Sequence, residues 1–129
     1  MILYLSAEQI AALHARLIER FGGMHRLRDR RGLDAAAARP AMTFGGEDLY
    51  PDLASKSAAL LHSLVQNHPF ADGNKRVGAA AAELFLLVNG HGLSASDAEL
   101  EGLVLATARG ELAVEALAIW IRQRLVALD

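Results

Sequence analysis

The residues best suited to chemistry lie in one run near the middle of the chain: Asn67-His68-Pro69-Phe70-Ala71-Asp72-Gly73-Asn74-Lys75-Arg76. The run places an imidazole, a carboxylate, an amide and two cations within a loop and one predicted helical turn. A strongly apolar stretch, residues 77–88, follows immediately. Because the first N–H groups of a helix lack intrahelical partners and the helix dipole favours negative charge there, the run predicts an anion site.

The side chains at this helix start favour a phosphate as the anion. The dipole opposes Lys75 and Arg76 by about 0.3–1 kcal/mol each, whereas charge-assisted hydrogen bonds to a phosphate contribute about 1.5–3 kcal/mol each. Gly73 lets the backbone approach a bound group. Asn74 can either bond a phosphate oxygen or hold the shape of the loop. The sequence therefore predicts a phosphate site at residues 73–76.

Three residues just before the helix complete the predicted site. An imidazole titrates near neutral pH, so His68 is suited to take a proton from a hydroxyl. Asp72 can either cap the helix or hold a divalent cation that bridges phosphates, as Mg²⁺ prefers. Phe70 is predicted to turn inward and pin the loop. Taken singly, each residue is typical of a turn, a cap or a solvated charge, and it is the combination that indicates a site.

Six helices are predicted to position this site. Capping boxes begin the first and the fifth, formed by Ser6 with Gln9 and by Ser96 with Glu99. The fourth helix is apolar on nearly every side and is therefore predicted to lie at the centre of the fold. No segment alternates with the period of a strand, so strands are limited to a short hairpin. The predicted helices run from the Ser6 cap to residue 21, over 33–39, 53–66 and 73–88, from the Ser96 cap to about residue 110, and over 111–128, with a loop at 42–52.

Length and composition bound the class of protein. The 129 residues fit one domain, 1–129, and the absence of cysteine excludes disulfides and suits a reducing, cytoplasmic setting. The 13 Lys and Arg residues against 15 Asp and Glu residues give a net charge of −2, and aromatic residues make up 5%, so direct nucleic-acid binding is not expected. Neither a signal peptide nor a membrane-spanning segment is expected. Ala and Leu dominate the 53% hydrophobic content, which indicates an all-α fold.

Two other groups of residues are interpreted from their place in the sequence. Four histidines lack the spacing of metal ligands and are interpreted as structural or exposed: His14, His25, His62 and His91. Four arginines form a basic cluster between the first two helices: Arg26, Arg28, Arg30 and Arg31. That cluster is either a solvated turn or a surface for a partner or target, and the sequence leaves both open.

The run from His68 to Arg76 resembles the HxFx(D/E)GNxxR signature of the Fic/Doc superfamily, and its Lys-Arg ending is similar to the Doc (death-on-curing) branch. The resemblance extends from about Tyr4 to the last helix, with further agreement at 27–29, 32–34, 38–40 and 44–51. It implies a compact, single-domain all-α bundle of about six helices around a central buried helix, with at most a short hairpin-like flap. The signature would join two central helices.

The resemblance also implies nucleotide-dependent transfer to a hydroxyl of a protein. It assigns His68 as the base that activates the hydroxyl and Asp72 as the Mg²⁺ ligand. The loop at 42–52 would be the flap that aligns the target. Four consecutive residues would surround the phosphates of ATP: Gly73, Asn74, Lys75 and Arg76.

One departure favours the kinase-like Doc proteins over adenylylating Fic enzymes, which usually carry a glycine after the asparagine and a second arginine. Here Lys75 and Ala79 occupy those positions. The resemblance thus implies a toxin of a toxin–antitoxin module that phosphorylates a threonine of translation elongation factor Tu. No (S/T)xxxE(G/N) inhibitory motif is found, so a Phd-like antitoxin is the expected partner. Adenylylation of a protein, or non-catalytic binding of a nucleotide or partner, are the alternatives.

Overall fold

A computed structural model describes all residues, Met1–Asp129, and contains six α-helices. They are α1 (Ala7–Phe21), α2 (Arg30–Ala38), α3 (Leu53–Asn67), α4 (Asn74–Val88), α5 (Asp97–Ala108) and α6 (Val114–Arg124). Two short antiparallel pairs accompany them: β1 (Thr43–Phe44) with β2 (Glu47–Asp48), and β3 (His91–Leu93) with β4 (Leu125–Ala127). The predicted all-α class with a short hairpin is confirmed. None of the helices is both long and apolar enough to cross a membrane.

Side-chain caps set the beginnings of several helices. The predicted boxes of Ser6 with Gln9 and of Ser96 with Glu99 are both formed, at α1 and α5. A third box, which was not predicted, begins α3, where Asp52 accepts a hydrogen bond from the backbone N–H of Ser55. The guanidinium of Arg122 also binds the Asp52 carboxylate and holds its pKa well below the usual range. These caps satisfy N–H groups that the first helical turn leaves unpaired.

The centre of the fold is α3, not α4. Eleven of the fifteen residues of α3 are buried, and it packs against α2, α4, α5 and α6. The prediction that α4 is central was wrong because α4 keeps an exposed strip that includes Glu83, Leu87 and Val88. The physical reason is where the polar side chains lie. In α4, Lys75, Arg76 and Glu83 stay exposed, whereas in α3 the buried Lys56 and Ser57 donate to backbone carbonyl oxygens in the interior.

The helices α3 and α4 pack closely at Gly78. A Cβ atom at this position would lie 2.8 Å from Cγ2 of Val65 and 3.5 Å from the carbonyl oxygen of Leu61. We therefore expect Gly78→Ala to lower the free energy of unfolding by about 1–3 kcal/mol through overpacking. This loss outweighs the better helix propensity of alanine, which is worth about 1 kcal/mol.

Urea unfolding would measure this effect, with Gly102→Ala as the matched control on α5. Nothing lies within 4 Å of a Cβ atom at Gly102. That variant should be at least as stable as the parent protein because only the propensity term changes. Equal stability of the two variants would contradict the packing assigned to Gly78.

Three helix boundaries differ from the prediction by three residues or more. The sixth helix, predicted over 111–128, begins at Val114 and ends at Arg124, and the chain continues as β4, which pairs with β3. This pairing was invisible in the sequence because its partners are more than 30 residues apart. The second helix begins at Arg30 and not at residue 33, because the Asp29 carboxylate accepts the N–H of Gly32 at 2.9 Å.

The predicted loop at 42–52 forms an exposed hairpin, β1–β2. Gly45 and Gly46 occupy its tip with φ of 61° and 83°, which is a left-handed turn that favours glycine. The side chain of Phe44 is 83% exposed. The base of the hairpin is tied to the core by the buried Lys56, whose Nζ donates to the carbonyl oxygen of Pro40 and to Asp48 Oδ2, both at 3.2 Å.

Candidate active site

The predicted site lies in the loop between α3 and α4. His68 ends α3 in the left-handed conformation with φ of 48°, and no other non-glycine residue has a positive φ. Such a conformation costs roughly 1–2 kcal/mol for a residue with a Cβ atom. Hydrogen bonds compensate for it: Arg28 Nη2 donates to the carbonyl oxygen of His68 at 3.0 Å. The carbonyl oxygen of Pro69 accepts from the N–H groups of Arg28 (2.8 Å) and Asp29 (2.9 Å).

The segment before α2 therefore supports the loop from outside. Ala71 donates its N–H to the carbonyl oxygen of Arg26 at 2.9 Å, and Leu27 forms a β-bridge with Phe70. These contacts assign roles to two of the four arginines in the basic cluster. Arg28 holds the loop, whereas Arg30 pairs with Glu8 and Asp34 on the surface. No local pattern indicates this role of Arg28, since 40 residues separate it from His68.

Asn74 holds the shape of the loop. Its Oδ1 accepts the N–H of Phe70 at 3.0 Å, and its Nδ2 donates to the carbonyl oxygen of the same residue at 2.9 Å. Its Nδ2 also lies 3.5 Å from Nδ1 of His68, too far for a strong hydrogen bond. Of the two roles considered for Asn74, the structure shows the loop-shaping one. The imidazole of His68 is exposed and not tightly bound.

Asp72 does not cap α4, contrary to one of the two roles predicted for it. Gly73 occupies the cap position with φ of 77°, and no side chain bonds the first turn of the helix. The exposed carboxylate of Asp72 instead accepts the N–H of Gly73 at Oδ1 (3.0 Å) and that of Met24 at Oδ2 (3.3 Å). Each oxygen keeps a further lone pair for a ligand.

The donor set at Asp72 fits a magnesium ion carried by a nucleotide. No group of three or more His, Asp or Glu side chains could hold a metal by itself. Mg²⁺ usually keeps several waters and takes one or two carboxylates together with phosphate oxygens. A single exposed carboxylate beside Lys75 and Arg76 meets that requirement. The residues present therefore fit the predicted Mg²⁺ role of Asp72.

An open cavity of about 670 Å³ lies at the start of α4, between α1, α4 and α5. This volume is within the range of about 300–1,000 Å³ that is usual for small-molecule sites. The predicted phosphate-site residues 73–76 and Asp72 all line it. His68 does not line the cavity. Its imidazole is next to Asn74, which does line it.

The cavity is basic at one end and acidic at the other. Both Lys75 and Arg76 are exposed, and the Arg76 guanidinium lies 4.3 Å from the centre of the Phe21 ring. Further along α4, partial loss of solvent around the carboxyl group raises the pKa of Glu83, whose residue surface is otherwise exposed, and the charge of Asp97 raises it further. Ala79, which also lines the cavity, leaves the space beyond Arg76 without another cation.

His14 is a residue of this site that sequence reasoning did not connect to it. It is fully buried, as a structural histidine would be, and its ring is parallel to that of Phe70 with 3.7 Å between centroids. Its Nε2 lies 2.7 Å from the carbonyl oxygen of Asp72 and its Nδ1 lies 3.1 Å from Nδ1 of His25. Burial lowers the pKa of the His14 imidazole, and the nearby His25 lowers it further. The sequence signal for its burial is its position on α1, four residues after the buried Ile10 and therefore on the same face of the helix.

Comparisons with known proteins show the family of the chain. The model of the Fic/DOC family matches residues 4–86. A protein of Mycolicibacterium smegmatis named "Toxin Doc" is 55% identical over 75 residues, which cover 58% of this chain and 58% of that relative. A protein of Escherichia phage P1 named "Protein kinase doc" is 33% identical over 120 residues, which cover 93% of this chain and 94% of that relative. The chain therefore belongs to the Fic/DOC family.

Proposed function

We propose that this protein is the toxin of a toxin–antitoxin module and that it transfers the γ-phosphoryl group of ATP to a hydroxyl of a protein. The observation that carries the proposal is the set of cations at the start of α4. Lys75 and Arg76 line the cavity, whereas Ala79 stands where adenylylating relatives would carry a second arginine. The names of the two relatives, a Doc toxin and a Doc protein kinase, support the same conclusion.

The nucleotide would bind with its phosphates at the start of α4. The uncapped first turn of α4 presents N–H groups to the phosphates, and Lys75 and Arg76 neutralise their charge. Asp72 would hold Mg²⁺, which supplies charge neutralisation on the phosphate oxygens when it is bound. Phosphoryl transfer needs mainly positioning and electrostatic stabilisation, and this arrangement of charges provides both.

His68 is proposed as the base that prepares the target hydroxyl. It takes the hydroxyl proton while the hydroxyl oxygen forms a bond to the γ-phosphorus. The bond from that phosphorus to the β–γ bridging oxygen breaks, and ADP leaves. The imidazole is exposed at the end of α3, where a segment of another protein can reach it.

The partners follow from the same resemblance. The β1–β2 hairpin would align the target segment through its exposed backbone edge. Elongation factor Tu is the proposed target, modified on a threonine, and a Phd-like antitoxin is the proposed inhibitor. The protein would then act in the cytoplasm, where translation takes place.

Labelled nucleotides test this function. The protein is incubated with Mg²⁺, elongation factor Tu and ATP that is labelled at either the γ- or the α-phosphate. Phosphoryl transfer should label the factor from γ-labelled ATP and leave it unlabelled with α-labelled ATP. The opposite pattern would show adenylylation. No label from either nucleotide, together with no ATP binding at millimolar concentration by calorimetry, would identify a non-catalytic binding module.

A further inference from the structure

The buried His14 takes no part in the proposed reaction, yet it contacts the active-site loop in two ways. Its ring stacks flat on Phe70, at an angle of 5°. One of its nitrogens is 2.7 Å from the carbonyl oxygen of Asp72, the residue proposed to hold Mg²⁺. The loop also passes close above this ring at Gly73, where a Cβ atom would lie 3.4 Å from His14 Nε2.

The hydrogen bonds determine where the protons of His14 and His25 lie. A carbonyl oxygen only accepts, so His14 Nε2 must carry a proton and donate to Asp72. The His14 ring is fully buried and its two nitrogens contact a carbonyl oxygen and another imidazole, with no carboxylate in hydrogen-bond contact, so the ring is held as neutral imidazole with a single N–H. His14 Nδ1 is therefore an acceptor. His25 lies 3.1 Å away through its own Nδ1, which must then be the donor. The exposed His25 therefore fixes the tautomer of the buried His14.

The segment that carries His25 holds Asp72 from a second side. Met24 donates its N–H to Asp72 Oδ2 at 3.3 Å. A Cβ atom at Gly23 would lie only 2.7 Å from the same oxygen, so glycine is required for this approach. Met24 thus bonds the Asp72 carboxylate directly, and His25 reaches the Asp72 carbonyl oxygen through His14.

We propose that His14 is a positioning residue that sets the place of Asp72 for the Mg²⁺–nucleotide, with His25 holding it in the Nε2–H tautomer. This inference rests on the proposed function, because it assigns Asp72 to the metal. No simple replacement reproduces both contacts: phenylalanine keeps the flat ring without the donor, and glutamine keeps a donor without the ring. Residues that orient metal ligands commonly change metal affinity by about 10–100-fold when they are replaced.

The tautomers can be observed directly in the whole protein. ¹⁵N-histidine NMR at neutral pH should show His14 with a protonated Nε2 and an unprotonated Nδ1. It should show His25 with a protonated Nδ1, which is the less common tautomer of neutral histidine in water. A protonated Nδ1 on His14, or the ordinary Nε2–H tautomer on His25, would overturn the assignment. This measurement does not depend on any activity.

Metal affinity tests the consequence. Calorimetric titration of ATP at increasing Mg²⁺ should show half-saturation at about 10–100-fold higher Mg²⁺ for His14→Phe. His14→Gln should recover part of the loss, and ATP binding without Mg²⁺ should be unchanged in both variants. His91→Phe, remote on β3, is the control and should match the parent protein.

The outcomes separate the two proposals. A folded His14→Phe variant with the parent's Mg²⁺ dependence would overturn the positioning role. If His14→Phe does not fold, His25→Ala is the variant to test, because it keeps the buried His14 ring and removes only its partner. An unchanged Mg²⁺ dependence of His25→Ala would contradict the proposed role of His25. If the parent protein binds no ATP, the proposed function and the metal role fail, whereas the NMR result still decides the tautomers.

Discussion

Replacing His68 by alanine is expected to lower kcat for phosphoryl transfer by about 10²–10⁴-fold, the usual contribution of a general base. The loss should appear in kcat and not in the affinity for ATP, because His68 does not line the cavity at the start of α4. The free energy of unfolding should change little, since the side chain is exposed and the backbone carbonyl of His68 is held by Arg28. Label transfer from γ-labelled ATP and urea unfolding measure the two quantities.

A glycine at the same position sharpens this test. The left-handed backbone of His68 strains any side chain with a Cβ atom, so His68→Gly should be as stable as the parent protein or more stable by up to about 1 kcal/mol. It should be as inactive as the alanine variant. A residue kept in a strained conformation at the expense of stability is common at functional sites. A His68→Ala variant with more than a tenth of the parent's kcat would remove the base from the mechanism.

Asn74→Ala is expected to have the largest effect on the integrity of the loop. It removes both side-chain bonds to the backbone of Phe70 and leaves a buried N–H and a buried C=O without these partners. Each unsatisfied group costs about 1–3 kcal/mol, so the free energy of unfolding should fall by about 2–6 kcal/mol. ATP affinity should fall as well, because the loop that carries Asp72 and Gly73 loses its shape.

Asn89→Ala is the matched control for this change. Asn89 also uses its amide to bind backbone groups, those of Leu3 and Phe85, but at the opposite end of α4. This variant should lose stability while its affinity for ATP stays that of the parent protein. If Asn74→Ala and Asn89→Ala affect ATP binding equally, the effect is one of general destabilisation and the specific role of Asn74 is wrong.

The helices and the candidate site show which features of the protein can be predicted from local sequence. Ser6 and Ser96 each cap a helix with a partner three residues away, and both boxes form as predicted. Such bonds need only a few residues of correct type at correct spacing. By contrast, the central place of α3 depends on its contacts with four other helices. Those helices come from distant parts of the chain, so no short segment of the sequence predicts the contacts.

The active-site loop also depends partly on local sequence and partly on long-range contacts. Local sequence is enough to identify the run from His68 to Arg76, with its cations at a helix start and the glycine that lets the backbone turn there. The fold is needed to show that His14, 58 residues from Asp72, stacks beneath the loop and that Arg28 supports it from outside. The physical reason is that charge and backbone conformation are properties of the local chain. The partner of a buried polar group is chosen by packing, which brings distant segments together and requires each such group to find a hydrogen bond.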